Sequence, residues 1–215
     1  MFPVKITRDR IVRTALRLLD EVGLEGLTLR RIATELDVRA PALYWHVENK
    51  KQLLDELATT LLDEAATGIA ETPVQPDWRE EIRTGAAFLR TVMLAHRDGA
   101  KVLSGTFYNG DATALAPEER LLPLLHSAGF TTPDAIDLIM TVLHYTIGFV
   151  IEEQEVFPTP GQRDPRYDVD TLIATNTARD PDVVRYMFAA DTVERRFHSG
   201  LRLIIAGAQH PSPDR

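Results

Sequence analysis

The chain of 215 residues contains no cysteine. That excludes a disulfide framework, a zinc-thiolate site and a cysteine nucleophile. No apolar run approaches the roughly 18 residues of a membrane span. The opening MFPVKITRDR has no apolar stretch behind its basic residues, so a cytoplasmic protein with no membrane partner is the expectation. Walker and dinucleotide glycine fingerprints are missing. Ser127 beside His126 and Ser199 beside His198 are helix neighbours that point apart, and there is no G-x-S-x-G elbow. Nothing positive therefore supports an enzyme. No segment alternates as a strand does, and no internal repeat is present. An all-α fold remains.

What is present is ordinary for a protein with a real core: 44% hydrophobic and 26% charged residues. The net charge of −8 is unevenly spread. Residues 1–51 carry ten Lys/Arg against seven Asp/Glu, a surplus of +3, whereas residues 52–215 carry fourteen against twenty-five, or −11. A basic head on an acidic body fits a nucleic-acid reader whose body does not touch the nucleic acid.

The head is organised around residues 28–50, TLRRIATELDVRAPALYWHVENK. Leu29, Ile32, Ala33 and Leu36 form the i, i+3, i+4, i+7 stripe of a helix capped by Thr28. Asp37 suits the left-handed step of a tight turn. A second helix is expected from Ala40 to Val47. Pro41 sits in its first turn, Leu43 and Val47 point inward, and Tyr44, Trp45 and His46 stand around them. Two short helices joined this way make a helix-turn-helix, whose second helix enters the DNA major groove. Such hairpins also occur in helical proteins that never meet DNA.

Upstream, Thr7 caps a helix with Ile11, Ala15, Leu18, Leu19 and Val22 inside, closed by Gly23. Downstream, a helix from Asn49 or Lys50 carries an apolar stripe over about twenty residues, more than a three-helix head buries, so it links the head to a second domain. ETPVQPD (71–77) breaks the chain. Further helices are expected at 78–97, 117–128, 133–156, 181–190 and 191–206. The segment near Gly99 and Gly105 should be short or strained, Asn109–Asp111 a turn, 157–170 a loop, and 172–177 ambiguous. The middle of 133–156 is so apolar that it should be buried on most sides. Glu152–Glu155 reads as a solvated run. His144, eight residues from Glu152, and His96 suggest a metal site less well than they do a buried histidine and a surface carboxylate. Neither a metal nor a cofactor is expected.

The run Leu43–Tyr44–Trp45–His46–Val47 followed by Asn49–Lys50 resembles the DNA-binding domain of the tetracycline-repressor (TetR) family. The similarity extends through Arg97–Val102 with Gly105–Thr106, Ala128–Phe130, His144–Gly148, Glu152, Gln154–Glu155 and Phe197–Leu201, and fails over Asn109–Ala116 and Phe157–Arg196. The resemblance implies a ligand-responsive repressor with a DNA-binding domain at 1–50. A connecting helix would follow at 51–70, a ligand-binding and dimerisation domain at 71–207, and a tail at 208–215. It implies a homodimer joined through the long helices 133–156 and 191–206, bound to a palindromic operator in double-stranded DNA.

By the same resemblance Thr28, Arg30, Arg39, Ala40, Pro41, Tyr44, His46 and Lys50 should meet DNA. Arg30, with Ala40 and Pro41, would read bases, and Tyr44, His46 and Lys50 would touch phosphates. Arg39 stands where the family often has a capping Ser. A small-molecule effector would meet Gly85, Leu89, Leu103, Thr106, Phe107, Leu121, Ile139, Leu143 and Glu152. Leu103 replaces the family's magnesium-binding His, and Ala66, Gly85 and Leu121 replace its polar drug contacts, so the implied effector is largely hydrophobic and not metal-chelated. A helical ligand carrier with a vestigial head is the competing expectation, and salt-dependent DNA binding separates the two.

Overall fold

A computed structural model describes residues 6–105, 116–159, 161–176 and 178–208. The head is built from its caps. The Thr7 hydroxyl accepts from the Arg10 amide to start α1 (Arg8–Gly26), and Thr28 accepts from the Arg31 amide to start α2 (Leu29–Glu35). Gly23, at φ 72°, takes α1 off its helical path near its end. Both conformation and space require glycine there, since a Cβ would lie 2.9 Å from the Asp98 carboxylate. Asp37 makes the turn after α2 with φ 54°.

The next helix is shorter than its sequence pattern suggests. α3 covers only Ala40–Leu43, and its N-cap, Arg39, provides no capping bond. Tyr44–His46 form a turn, although the Val47 amide still donates to the Leu43 carbonyl at 2.9 Å. The cause lies downstream. Asn49 caps α4 (Lys50–Ala70) by accepting from the Gln52 amide, while the Glu48 amide donates to Gln52 Oε1 at 2.6 Å. That reciprocal cap takes the chain out of its helical path before residue 48.

The body follows as α5 (Trp78–Ala95), α6 (Gly99–Leu103), α7 (Ala116–Ser127), α8 (Thr132–Val156), a 3-10 turn at Pro165–Tyr167, α9 (Val169–Thr175), α10 (Pro181–Phe188) and α11 (Ala190–Gly207). The ambiguous segment is therefore helical as far as Thr175. α5 stops two residues before its expected end, because the chain must turn into α6 through Asp98 at φ 56°. The expected turn at Asn109–Asp111 and all of the tail beyond Ala208 lie outside the described residues.

Two apolar clusters hold the molecule. One joins Ile11, Leu19 and Leu43 of the head to Leu57 and Leu61 of α4, then to Met93, Leu103 and Val150 of the body. The other gathers Trp78, Leu125, Phe130, Phe197 and Leu201. Trp78 and Phe130 meet edge to face at 5.2 Å. The head thus shares its core with the body. α4 is the shared element, and full burial of a leucine such as Leu57 or Leu61 is worth about 1.5–3 kcal/mol.

α8 departs from expectation in two ways. An 18-residue window of it reaches a mean hydropathy of 1.5, so by length and composition it is apolar enough to cross a membrane. It is also not buried on most sides. Ala135, Leu138, Val142, Thr146 and Val150 face inward, but Thr141, His144, Gly148 and Glu152 form an exposed row beside Met140. The described residues supply packing partners for only one side of this helix.

Candidate nucleic-acid interface and ligand pocket

The head sorts its cations into two groups. Arg17 lies between Glu21 and Glu35, at 2.5 Å from each, and Arg8 pairs with Glu56 at 2.6 Å. Arg13 pairs with Asp9. Arg30 and Arg39 are exposed, and among the described residues neither guanidinium has an acidic partner. Both belong to the helix-turn-helix. Thr28, Pro41 and Tyr44 are also exposed there, and Ala40 and His46 are half-buried.

Lys50, half-buried, has a partner within the protein. Its ammonium donates to the Leu24 carbonyl at 2.9 Å, which ties the start of α4 to the turn before α2. Trp45, absent from the candidate set above, is 89% exposed and Tyr44 is 53% exposed. An indole left in water makes no contribution to the core. The signal in the sequence was present: Trp45 falls between the inward positions Leu43 and Val47.

A short turn after α5 grips the end of α1. The Leu24 amide donates to Asp98 Oδ2 at 2.9 Å, and the Arg97 amide donates to Asp20 Oδ1 at 3.1 Å. His96 lies between Asp20 of α1, at 3.3 Å, and Glu64 of α4, at 3.5 Å. Gln154 of α8 locks this corner from behind. Its amide nitrogen donates to the carbonyls of Met93, at 3.0 Å, and His96, at 2.8 Å, and its oxygen accepts from the Ala100 amide at 3.2 Å. Gly99 is required by space, since a Cβ would come within 2.4 Å of the Met93 carbonyl oxygen. Head placement is thereby coupled to α5, α6 and α8.

The acidic run at the end of α8 is not a solvated one. Glu153 is held bidentately by Arg90, at 2.9 and 2.7 Å, and Glu155 receives Lys101 at 2.5 Å. Only Glu152 is exposed. Burial alone would lower the basicity of Arg90, but the bond to Glu153 and the charges of Glu153 and Glu194 raise it above the ordinary arginine value. The hydrogen bond that Lys101 donates to Glu155 does the same for Lys101. The helical spacing of Glu153 and Gln154 marked the inward side; the expectation failed by treating four polar neighbours as one face.

Of the candidate ligand residues, Leu89, Leu103 and Leu143 pack with the cluster that includes the head, and Leu121 and Ile139 with the other. Gly85 leaves room, for the nearest atom to an added Cβ is Ile69 Cδ1 at 4.0 Å. Glu152 lies apart from these on the exposed row of α8. Thr106 and Phe107 lie outside the described residues. The aliphatic candidates thus come from α5, α6, α7 and α8. Behind α7, Glu81 accepts from Arg120 Nε at 2.6 Å and from the Gln75 amide at 2.8 Å, and Arg120 donates to the Ile69 carbonyl at 2.6 Å. This buried pair fixes α7 against the ends of α4 and α5. His144 is exposed, and among the described residues no group of three or more His, Asp or Glu forms a metal-binding cluster.

Comparison with known proteins agrees with this division. Residues 11–57 match the family described as bacterial regulatory proteins, tetR family, and residues 72–210 match the tetracyclin repressor-like C-terminal domain. The chain is 36% identical over 206 residues to the class C tetracycline repressor protein of Escherichia coli, covering 95% of this chain and 91% of that one. A TetR variant from Acinetobacter baumannii AYE, solved in complex with minocycline, superposes with a TM-score of 0.71 at 31% identity, covering 94% of this chain and 96% of the other. BioQ, solved with its double-stranded DNA operator, gives 0.67 at 28% identity, covering 95% and 99%. With both halves matched and a helix-turn-helix head joined to an all-helical body, the chain belongs to the TetR family of transcriptional regulators.

Proposed function

We propose that this protein is a ligand-responsive transcriptional repressor, working in the cytoplasm as a homodimer and not as an enzyme. The observation that carries the reading is a set of exposed arginines with no acidic partner among the described residues, Arg30, Arg31 and Arg39, on the same helix-turn-helix as exposed Tyr44 and Trp45. Arg30 reads a base edge, with Ala40 and Pro41 offering apolar contact, and Arg39, Tyr44 and His46 engage phosphates. Thr28 sets the start of α2 beside the backbone. Lys50 reaches a phosphate after giving up the Leu24 carbonyl, or acts by holding α4 in place. BioQ with its operator supports the DNA arm of this reading.

The dimer forms through the exposed row of α8 and its counterpart on α11, where Leu203 is 73% exposed. Two heads in twofold symmetry read an approximately palindromic operator with recognition helices about 34–36 Å apart.

The effector sits among Gly85, Leu89, Leu103, Leu121, Ile139 and Leu143, with Thr106 and Phe107 in the same reading. It is drug-sized and mostly hydrophobic. Leu103 offers no metal ligand, so magnesium is not part of its recognition. Binding reaches the head through α6 and the Gln154 corner, with a coupling of about 1–3 kcal/mol.

The experiment is a thermal-shift screen of antibiotics and metabolites, with and without magnesium, followed by release of DNA from upstream of the protein's own gene. Stabilisation by a hydrophobic compound with loss of DNA binding is expected. Strong magnesium-dependent induction by tetracycline would contradict the pocket assignment, and DNA binding that is absent or insensitive to salt would contradict the repressor itself.

A further inference from the structure

A cleft of about 540 Å³ opens between α1, α5, the end of α8 with Phe157, Pro158, Thr159 and Gly161 after it, and α11. Its lining shares no residue with the effector site proposed above. Arg90 and Leu94 line it from α5, and at 3.6 residues per turn they point roughly 100–140° away from Leu89. Its size falls in the range of small-molecule sites, about 300–1,000 Å³.

We propose that this cleft binds an amphiphilic amine, an apolar body carrying one protonated nitrogen. Leu94, Phe157 and Val193 provide the apolar wall. The charged lining contains three acids, Asp20, Glu153 and Glu194, against two arginines, Arg90 and Arg97. The inner acid and inner arginine are closed on each other. Glu153, 9% exposed, takes Arg90 bidentately, and Arg90 gives its remaining Nη1 to Glu194 at 2.6 Å. Arg97 turns its amide to Asp20 and its guanidinium to the Glu21 carbonyl at 3.3 Å. Gln154 is spent on the α5–α6 corner.

The acids still open to solvent are Asp20 and Glu194. Each already has a histidine nearby, His96 on Asp20 and His198 on Glu194. A ligand therefore meets apolar surface with a net surplus of one negative charge, and an anion is repelled. Asp20 belongs to the head and the rest of the lining to the body or the turn that grips α1. An occupant touches both sides of the junction, so its binding and the placement of the head are linked reciprocally.

Isothermal titration of the full-length protein, without DNA, with nonylamine, nonan-1-ol and nonanoate tests this. The three probes share one apolar body and differ in charge. Nonylamine should bind at least tenfold more tightly than nonanol, and nonanoate more weakly than either. Val193→Trp, which fills the cleft, should abolish nonylamine binding. Glu194→Gln alters an exposed side chain outside either core, and should cut the preference for amine over alcohol several-fold even if the tryptophan variant does not fold. Gly85→Leu, in the effector pocket, should leave nonylamine binding unchanged. Equal affinity for nonylamine and nonanol, or nonylamine binding that survives Val193→Trp in a folded protein or is lost in Gly85→Leu, would overturn the proposal. Because no operator or effector enters the measurement, its failure is distinct from failure of the repressor reading.

Discussion

The recognition face of the head and the interior of the body treat charge in opposite ways. On the head, Arg30 and Arg39 are exposed and have no acidic partner among the described residues. In the body, Arg90 and Arg120 are closed on Glu153 and Glu81 at 2.7 and 2.6 Å. A free surface cation contributes little to folding and remains available to a phosphate or a guanine. A paired interior cation is committed to holding helices together and offers nothing to a partner. The overall charge of −8 conceals this difference between the two regions.

The largest effect should come from opening a body pair. Glu81→Gln strands Arg120 in the interior, and removing one partner of such a pair typically costs about 3–5 kcal/mol. At about 2–4 °C per kcal/mol for a chain of this size, the melting temperature should fall by roughly 10 °C. Replacing Glu81 and Arg120 together by leucine should recover much of it, and a single variant as stable as the parent would remove the contrast.

Gly99→Ala brings a Cβ against the Met93 carbonyl. Overpacking of this kind costs about 1–3 kcal/mol. It should also alter DNA affinity, because the same corner grips α1 through Asp98 and Asp20. A melting curve together with an operator titration checks both, and loss of stability alone would detach the corner from the head.

Arg30→Ala should leave the melting temperature nearly unchanged, as an exposed substitution does. Preference for the operator over unrelated DNA should fall by about 1–3 kcal/mol. Tyr44→Phe should weaken binding about equally across sequences. Competition assays decide, and intact selectivity in Arg30→Ala would reassign base readout.

The smallest effect concerns acid. Asp77 is held below the usual carboxylate range, chiefly by the backbone amide of Arg79, and Asp168 by Thr171. Depressed folded values mean that their stabilisation is present above the unfolded pKa and is lost as pH falls through the folded one. Stability should thus decline slightly below about pH 4, and Asp77→Asn should flatten that decline.

Much of the fold was legible because local chemistry determined it. Thr7, Thr28, Asp37 and Gly23 behave as their side chains require, and the apolar spacing placed α1, α2, α4 and α5. α3 was too long in the reading because the cap of the following helix, Asn49 with Gln52, decides where it ends. α8 was expected to be buried because hydropathy does not say whether the covering partner is the same chain or another. Exposure was legible where it is local, as at Tyr44 beside the inward Leu43 and Val47. Arg90, Glu153 and Gln154 were not, since their meaning rests on partners up to 104 residues away, as with Arg90 and Glu194. The bond of Lys50 to the Leu24 carbonyl, 26 residues away, was hidden for the same reason.

The most direct test of the contrast is the salt dependence of operator binding, measured for the parent and for Arg39→Ala. Each phosphate neutralised contributes about −0.9 to the slope of log affinity against log salt. The parent should show a steep slope, and Arg39→Ala should make it shallower by about one per head, or about two per dimer, with the melting temperature unchanged. A slope identical in parent and variant would contradict the claim that the unpaired head arginines are what meets DNA.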